Sequence, residues 1–370
     1  MMGAFIIVIL SIYTGVIIVS LLTLLLSKEE NDIKNFVPTE KTSILIPFKD
    51  EEKNILNCLQ SIAEQDFQKE LIEIILIDDS SKDKSCDIAT QFLSTKNLQY
   101  KLIHLQEKNL SGKKSAIEIG VTESSSNIII TRDADTFTDN LWLKTLAYQF
   151  SKQKTDLLIA PVILTGNSFL KHFQWFESIA INTLGFSFTK NKMPFVCSGA
   201  NLMYRKDSFL TSNPYQNNKH IASGDDMFLL QGFINQNFKI CAIKNPSTIV
   251  YSNAENTFSL FLHQRLRWAS KGKHISIKTS WLMGILLFLT NIISFICAIG
   301  SPFSAFCLFT LLSKFVIDFL LLFLGANMYK QKINFLYYLP SFIVNLMYVP
   351  FIFVASAVVK PIWKDQKASV

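Results

Sequence analysis

A chain of 370 residues has room for one large or two ordinary domains, and it carries a formal net charge of +7. Hydrophobic residues make up 49% of it and the mean hydropathy is positive, which excludes a wholly water-soluble globule and puts part of the chain in a membrane. Six cysteines (Cys58, Cys86, Cys197, Cys241, Cys297, Cys307) form no CxxC pair and the five histidines form no ligand-spaced cluster. A disulfide framework and a zinc site are therefore not expected, and the thiols read as buried and inert in a reducing compartment.

Residues 4–26, AFIIVILSIYTGVIIVSLLTLLL, contain no charge and are long enough to span a bilayer as a helix. The start, MMGAF, lacks the basic n-region of a secretory signal and the apolar stretch is too long for one, so we read a retained anchor. Residues 27–39 are polar and patternless, as in a linker. Five short apolar runs follow: SILIP (43–47), EIILID (73–78), YKLIHL (100–105), NIIIT (127–131) and LLIAP (157–161). Each has the size of a strand buried on both faces. Ile55, Leu59 and Ile62 fall at helical spacing between the first two runs, and Ile88 with Phe92 repeats it, so a mostly parallel sheet with helices on both faces is predicted. Ligands of such sheets sit beyond the carboxyl ends of the strands.

Those ends are acidic. The first run stops at PFKDEEKNI, the second at DDSSKDKS and the fourth at RDADTF. One aspartate at a strand end is ordinarily a turn or a helix cap. Three such ends in one crevice repel each other unless a cation binds there, and hard oxygen ligands suit magnesium or manganese carrying phosphate. The chemistry points to a nucleoside diphosphate.

Beyond the sheet, FSLFLHQRLRWASKGKHISIK (258–278) interleaves apolar residues with Arg265, Arg267, Lys271 and Lys273, the pattern of a helix at an anionic membrane surface, and we assign an interface segment to 257–280. Three further spans are predicted within 281–358, at 281–300, 303–324 and 335–358. The connection MYKQKIN carries two lysines, and the positive-inside rule puts it, together with residues 27–280, on the cytoplasmic side of the inner or plasma membrane. Lys314 and Asp318 share a helix face and can pair within the membrane, for function or for packing alike. The three lysines of the tail, 359–370, conflict with an even number of spans, so its side is left open.

IDDSSKD, the downstream DAD, the acidic pair in SGDD (223–226) and QRLRW, in this order over residues 40–270, resemble the family 2 glycosyltransferases. The flanking apolar helices fit the membrane-bound branch of that family. The resemblance implies an α/β GT-A fold, a Rossmann-like mixed sheet with flanking helices at 40–256, joined to transmembrane α-helices. It also implies roles. Pro47, Phe48 and Glu51 match the wall of the nucleotide pocket, Asp79 the carboxylate that reads the base, and Asp78 its neighbour. Lysines in SGKKSAIEIG match the GK element, with Lys114 favoured over Lys113. Asp133 and Asp135 match the DxD pair, with Asp135 as direct ligand of a divalent Mn2+ or Mg2+ and Asp133 near the ribose or a metal water. Asp226, with Asp225 in place of the usual glutamate, matches the base for the acceptor hydroxyl. Gln264, Arg267 and Trp268 match the acceptor and diphosphate contacts. CSGANLMYRK (197–206) matches a segment shaping the acceptor side.

The implied activity is inverting, metal-dependent transfer of a sugar from a nucleotide-sugar donor, UDP-linked by family habit, to a lipid or glycan acceptor at the membrane. Nucleic acid is not among the expected partners. A polysaccharide-extending synthase is the main alternative, and a sugar nucleotidyltransferase or an inactive nucleotide-binding scaffold are the others.

Overall fold

The computed structural model describes residues 2–28, 32–221, 223–358, 362–363 and 366–367. Part of the expected linker and most of the expected tail lie outside them. The chain opens with α1 (Met2–Leu26) and runs through β1 (Thr42–Phe48), α2 (Ile55–Ala63), β2 (Ile72–Asp78), α3 (Ser85–Ser94), β3 (Gln99–His104), α4 (Lys113–Glu123) and β4 (Ile128–Thr131). Next come β5 (Thr136–Thr138), α5 (Trp142–Gln153), β6 (Leu157–Ile159), β7 (Val162–Thr165), α6 (Phe169–Lys190), β8 (Leu202–Arg205) and α7 (Lys206–Ser212). It finishes with α8 (Asp225–Asn235), β9 (Ile240–Ala242), β10 (Val250–Asn253), α9 (Phe258–Ser270), α10 (Lys278–Gly300), α11 (Ala305–Met328) and α12 (Tyr338–Val358).

The five apolar runs become β1, β2, β3, β4 and β6 of a seven-stranded sheet ordered β3-β2-β1-β4-β8-β6-β9. The first four are parallel, as the alternation of strand and helix demands. β8 then runs against both β4 and β6, so the sheet as a whole is mixed. The two-residue period of a strand divides the core in two. Ile44, Ile46, Ile74 and Leu76 face one way, onto Ile55 and Leu59 of α2, Leu93 of α3 and Trp142 and Phe150 of α5. Leu45, Ile75 and Ile77 face the other way, onto Ile117 and Val121 of α4 and Phe228 and Phe233 of α8. All of these side chains are buried, and each contributes about 1.5–3 kcal/mol by leaving water.

A second, three-stranded sheet, β5-β10-β7, stands beside the first. β4 belongs to the large sheet and β5 to the small one, so Asp133 and Asp135 lie on the turn where the chain crosses between them.

Four helices are long and apolar enough to cross a membrane: Gly3–Leu26, Lys278–Gly300, Ala305–Met328 and Phe335–Val358. The second begins before the expected 281 and the third runs past the expected 324, because Thr279, Ser280 and the Gly325–Met328 turn continue the helical hydrogen bonding. The expected interface helix is shorter than 257–280. It ends at Ser270, and a 3-10 turn at Lys271–His274 leads to α10. α9 also packs into the protein, with Phe261 buried against Phe173 of α6 and Tyr348 of α12.

The helix that joins sheet and bundle is α6. Trp175, Phe176 and Ile179 pack on Ile163 of β7 and on Leu322 and Ala326 of α11. Leu184 reaches Tyr13 and Ile17 of α1. Gly325 lets α11 lie directly on α6, since a Cβ there would stand 2.2 Å from Thr183 Oγ1. Deeper among the spans, Tyr13 of α1 donates a hydrogen bond to Asp318, which also pairs with Lys314.

Candidate functional site

A cleft of about 370 Å³ opens beyond the carboxyl ends of β1, β2 and β4. Pro47, Phe48 and Glu51 line it after β1, Asp79 after β2, Asp133 and Asp135 after β4, Asp225 and Asp226 at the start of α8, and Gln264, Arg267 and Trp268 from α9. Residues more than 200 positions apart in the sequence therefore share one cavity.

The first two strand ends are stitched together by their own polar residues. Ser81 Oγ accepts from the Asp50 N–H at 3.0 Å, Asp50 Oδ1 from the Lys82 N–H at 2.7 Å, and Ser85 Oγ from the Glu51 N–H at 2.7 Å. Asp50 and Ser80 adopt left-handed φ of +53° and +64°, and the turns they make bring these partners together. Asp79 Oδ1 accepts from the Gly112 N–H at 3.0 Å. Asp78 does not line the cleft. Its Oδ1 accepts from the Ser81 N–H at 2.9 Å and its Oδ2 pairs with His104 Nδ1 at 3.0 Å. Burial works to raise this carboxyl, but the bonds from Ser81 and His104 outweigh it and hold the group below the usual carboxylate range. Asp78 is a brace behind the site. Cys86 approaches it too, so one ligand-type atom from each of Asp78, Cys86 and His104 lies within 4.8 Å of the others, a grouping the scattered sequence positions do not suggest. Both Asp78 oxygens are already engaged there.

The two lysines that open α4 part company. Lys114, the one favoured from sequence, is buried and donates to the carbonyls of Asn218 at 2.6 Å and Ile221 at 2.9 Å, with the Phe228 ring 4.2 Å from its Nζ. Burial pushes its ammonium down to about 8. Lys113 is the one in the cleft, 2.6 Å from Asp133 Oδ1 and 3.3 Å from Asp225 Oδ2. Burial alone would lower its ammonium, yet these two carboxylates hold it well above the ordinary value. The helix start sends successive side chains in different directions, and only Lys113 points among the acids.

Beneath the Asp133–Asp135 turn lies Arg132, fully buried. Its Nε donates to Thr136 Oγ1 at 3.1 Å and its Nη2 to Ser61 Oγ at 2.9 Å, and its guanidinium stacks 4.8 Å from the Trp142 ring. Thr136 Oγ1 in turn donates to the Asp133 carbonyl at 2.6 Å, fixing the turn. Sequence reasoning passed over Arg132. The signal was a lone cation directly between an apolar strand and an acidic pair. Asp135 remains open to the cleft, but the surrounding walls, and then the charges of Asp133 and Glu51, push its carboxyl up to about 7. An acid held near neutrality by neighbouring acids exchanges its proton readily for a metal ion.

α8 starts at Asp225 after Gly224, whose φ of +89° suits glycine. A helix N-terminus favours the two carboxylates in its first turn. Asp226 Oδ1 accepts from the Met227 N–H at 2.7 Å and from Lys271 Nζ at 2.9 Å. Burial works to raise Asp226, while Lys271 and then Lys113 bring it below the usual range. The CSGAN segment has a steric reason for its glycine. A Cβ on Gly199 would stand 2.8 Å from Asp225 Oδ2 and 3.4 Å from Lys113 Nζ.

On α9, Gln264 Nε2 donates to Glu255 Oε1 at 2.9 Å. Arg265 turns away from the cleft to pair with Glu177 at 2.9 Å, and its guanidinium lies 4.4 Å from the Trp268 ring, which holds that indole at the cleft wall. Arg267 faces the acids, and burial lowers its guanidinium somewhat. Among the described residues the cleft is lined by seven carboxylates (Glu51, Asp79, Asp133, Asp135, Asp225, Asp226, Glu255) and four cations (Lys49, Lys113, Arg267, Lys271). The imbalance, concentrated on oxygen donors at Asp133, Asp135 and Glu51, fits a hard divalent cation.

Comparison with known proteins follows the same lines. The family model described as glycosyl transferase family 2 matches residues 43–210, and that of glycosyl transferase family group 2 matches residues 128–354, more than half of the chain. Over 189 residues the chain is 28% identical to glycosyltransferase AglE of Haloferax volcanii, a match covering 50% of this chain and 58% of that one. Over 251 residues it is 26% identical to the probable glycosyltransferase YdaM of Bacillus subtilis, covering 66% of this chain and 58% of that one. The chain thus spans 58% of the length of each of these two relatives. Among solved structures, the mannosyltransferase PcManGT from Pyrobaculum calidifontis, in complex with GDP-Man and Mn2+, superposes with a TM-score of 0.62 at 14% identity, covering 99% of this chain and all of that one. The likeness is one of fold: a GT-A-like α/β sheet with flanking helices.

Proposed function

From a chain that belongs to the family 2 glycosyltransferases, we propose an enzyme that transfers one sugar, with inversion, from a nucleotide-diphospho-sugar to a lipid or lipid-linked acceptor at the cytoplasmic membrane face. The observation that carries this reading is the meeting, in one cleft, of the strand-end carboxylates with Gln264, Arg267 and Trp268 of a helix packed on the spanning helix α12. A donor bound at the strand ends and an acceptor arriving along the membrane would meet there.

In this reading Pro47, Phe48 and Glu51 wall the nucleotide, and Asp79 reads its base while Asp78 braces the loop. Asp135, with Asp133 beside it, would hold a divalent metal, whose charge offsets that of the donor diphosphate. Lys113 replaces Lys114 as the lysine of the donor site, since its ammonium already stands among the acids. The acceptor hydroxyl gives its proton to Asp226 as its oxygen attacks the anomeric carbon from the face opposite the diphosphate. The bond to the diphosphate oxygen breaks with its electron pair, and the new charge is met by Arg267 and Lys113. One displacement through an oxocarbenium-like transition state inverts the anomeric centre, and no covalent intermediate on the protein is needed. Trp268 stacks on the acceptor sugar or headgroup. The two lysines of the connection between α11 and α12 support the cytoplasmic face by the positive-inside rule. The resemblance favours UDP as the donor nucleotide, and the GDP-Man complex of a protein of like fold makes GDP the second choice.

The test is calorimetric binding of UDP and GDP to the detergent-purified protein, with and without manganese. Binding of one nucleotide that needs the metal and vanishes in Asp135→Asn is expected. Failure of both nucleotides under every metal condition overturns the reading.

A further inference from the structure

In the sequence Lys271 is one charge of an expected interface helix. In the folded chain it stands at the joint where α9 gives way to the turn leading into α10, and its stem lies over Gly224, where a Cβ would come within 3.3 Å of its Cδ. Its ammonium reaches Asp226 Oδ1 at 2.9 Å, with each side chain 15% exposed. That same oxygen takes the Met227 N–H at 2.7 Å. Among the described residues no hydrogen bond reaches Oδ2. Two donors therefore clamp one oxygen of the carboxylate, and the clamp fixes the torsion that presents the other.

We propose that Lys271 is a positioning residue for Asp226: it pins Oδ1 against the start of α8, keeps the carboxylate ionised, and leaves Oδ2 to take the acceptor proton. The inference rests on the role of Asp226 as base in the proposed transfer. A base must be both unprotonated and aimed before the acceptor arrives, and a cation from the cleft wall held on one of its oxygens does both at once. Other charged or titratable groups face Asp226 as well: Lys113 and Lys114 from α4, Arg267 from α9, Cys197 and Tyr215 from the loops, and its neighbour Asp225. Lys113 is committed to Asp133 and Asp225, and Lys114 to two carbonyls. Among the described residues Lys271 is the cation in ion-pair contact with Asp226. Because Lys271 opens the connection to the first C-terminal span, the orientation of the base also depends on how that span is seated.

The test compares wild type, Lys271→Met and Lys271→Arg in two ways. The first is the pH dependence of carbodiimide modification of the Asp226 peptide, read by mass spectrometry; the reagent attacks the protonated carboxyl and needs no substrate. The second is release of UDP or GDP from its nucleotide sugar with water as acceptor. In Lys271→Met the modification midpoint should move to higher pH and turnover should fall about 10–100-fold, while manganese-dependent nucleotide binding stays within about twofold of wild type. Lys271→Arg should restore the midpoint. Coincident midpoints in wild type and Lys271→Met overturn the proposal, as does loss of nucleotide binding, which would assign Lys271 to the donor instead. If Lys271→Met does not purify as a monodisperse protein, Lys271→Gln reads the same midpoint. Failure of the transferase reading looks different: wild type itself would bind neither nucleotide, whatever the midpoints do.

Discussion

Two of this molecule's clusters of opposite charges are built in opposite ways. Between the spans, Lys314 and Asp318 pair with each other, Tyr13 donates to the same carboxylate, and the rings of Tyr13 and Phe342 lie 5.1 and 5.5 Å from the ammonium. One cation meets one anion, Lys314 is buried, and the cluster is closed. In the cleft, acids outnumber cations and Lys113 is shared between Asp133 and Asp225. A neutral, saturated cluster is a fastener. An unsaturated one is a receptor, because bound charge completes it.

The sharpest way to break this comparison is to remove one charge from each. Asp226→Asn should reduce transfer by about 10²–10⁴-fold while leaving nucleotide binding intact, as expected for loss of a general base and checked by product formation against calorimetry. Lys314→Met, by contrast, should leave the cleft's chemistry alone and cost about 3–5 kcal/mol of stability, because it strands Asp318 among apolar helices. Thermal unfolding in detergent should show the loss, and the double change Lys314→Met with Asp318→Leu should recover most of it. If the double variant instead loses transfer, the pair between the spans has a function beyond fastening.

A third test concerns protons in place of metal. With the Asp135 carboxyl pushed up to about 7, its proton competes with the cation below that pH and is released when the cation binds. Manganese-dependent nucleotide binding should therefore tighten by about tenfold from pH 6 to pH 8, and Asp135→Asn should remove both the binding and its pH dependence. The smallest expected effect separates the lysines. Lys113→Met should weaken nucleotide binding by about tenfold, whereas Lys114→Met should leave it within about twofold and lower stability by about 1–3 kcal/mol, since two carbonyls lose their donor.

How much of this was legible in the sequence depended on the length of the signal. β1 and β2 are seven-residue strands rich in Ile and Leu, and their boundaries could be read within a residue. β7, β8, β9 and β10 are three or four residues long, β10 pairs with β7 at a separation of 88 positions, and nothing local marks them. α6 escaped because it is buried on several sides by β7, α1 and α11, so its apolar residues trace no single stripe. The site was legible as a set of acids, whose spacing follows strand ends. It was less legible in its cations. Lys113 and Lys114 flank the same apolar stripe of Ala116, Ile117 and Val121, and what separates them is a pair of carbonyls 104 and 107 residues downstream. Arg132 was hidden for a like reason: Ser61 and Trp142, which hold it, come from two different helices or their flanks.

The bond between Tyr13 and Asp318 joins residues 305 positions apart. At a synthesis rate of about 5–20 residues per second, the first helix waits on the order of 15–60 s after it is made before its polar partner exists. The large sheet, complete by β9, has time to fold in that interval, and α1 must rest in lipid with its tyrosine hydroxyl unsatisfied or directed to the interface. Closure of the bundle thus comes late in the life of the nascent chain, and a ribosome that stalls early in α11 leaves a molecule whose anchor can rest on α6 and α10 but whose tyrosine lacks its carboxylate.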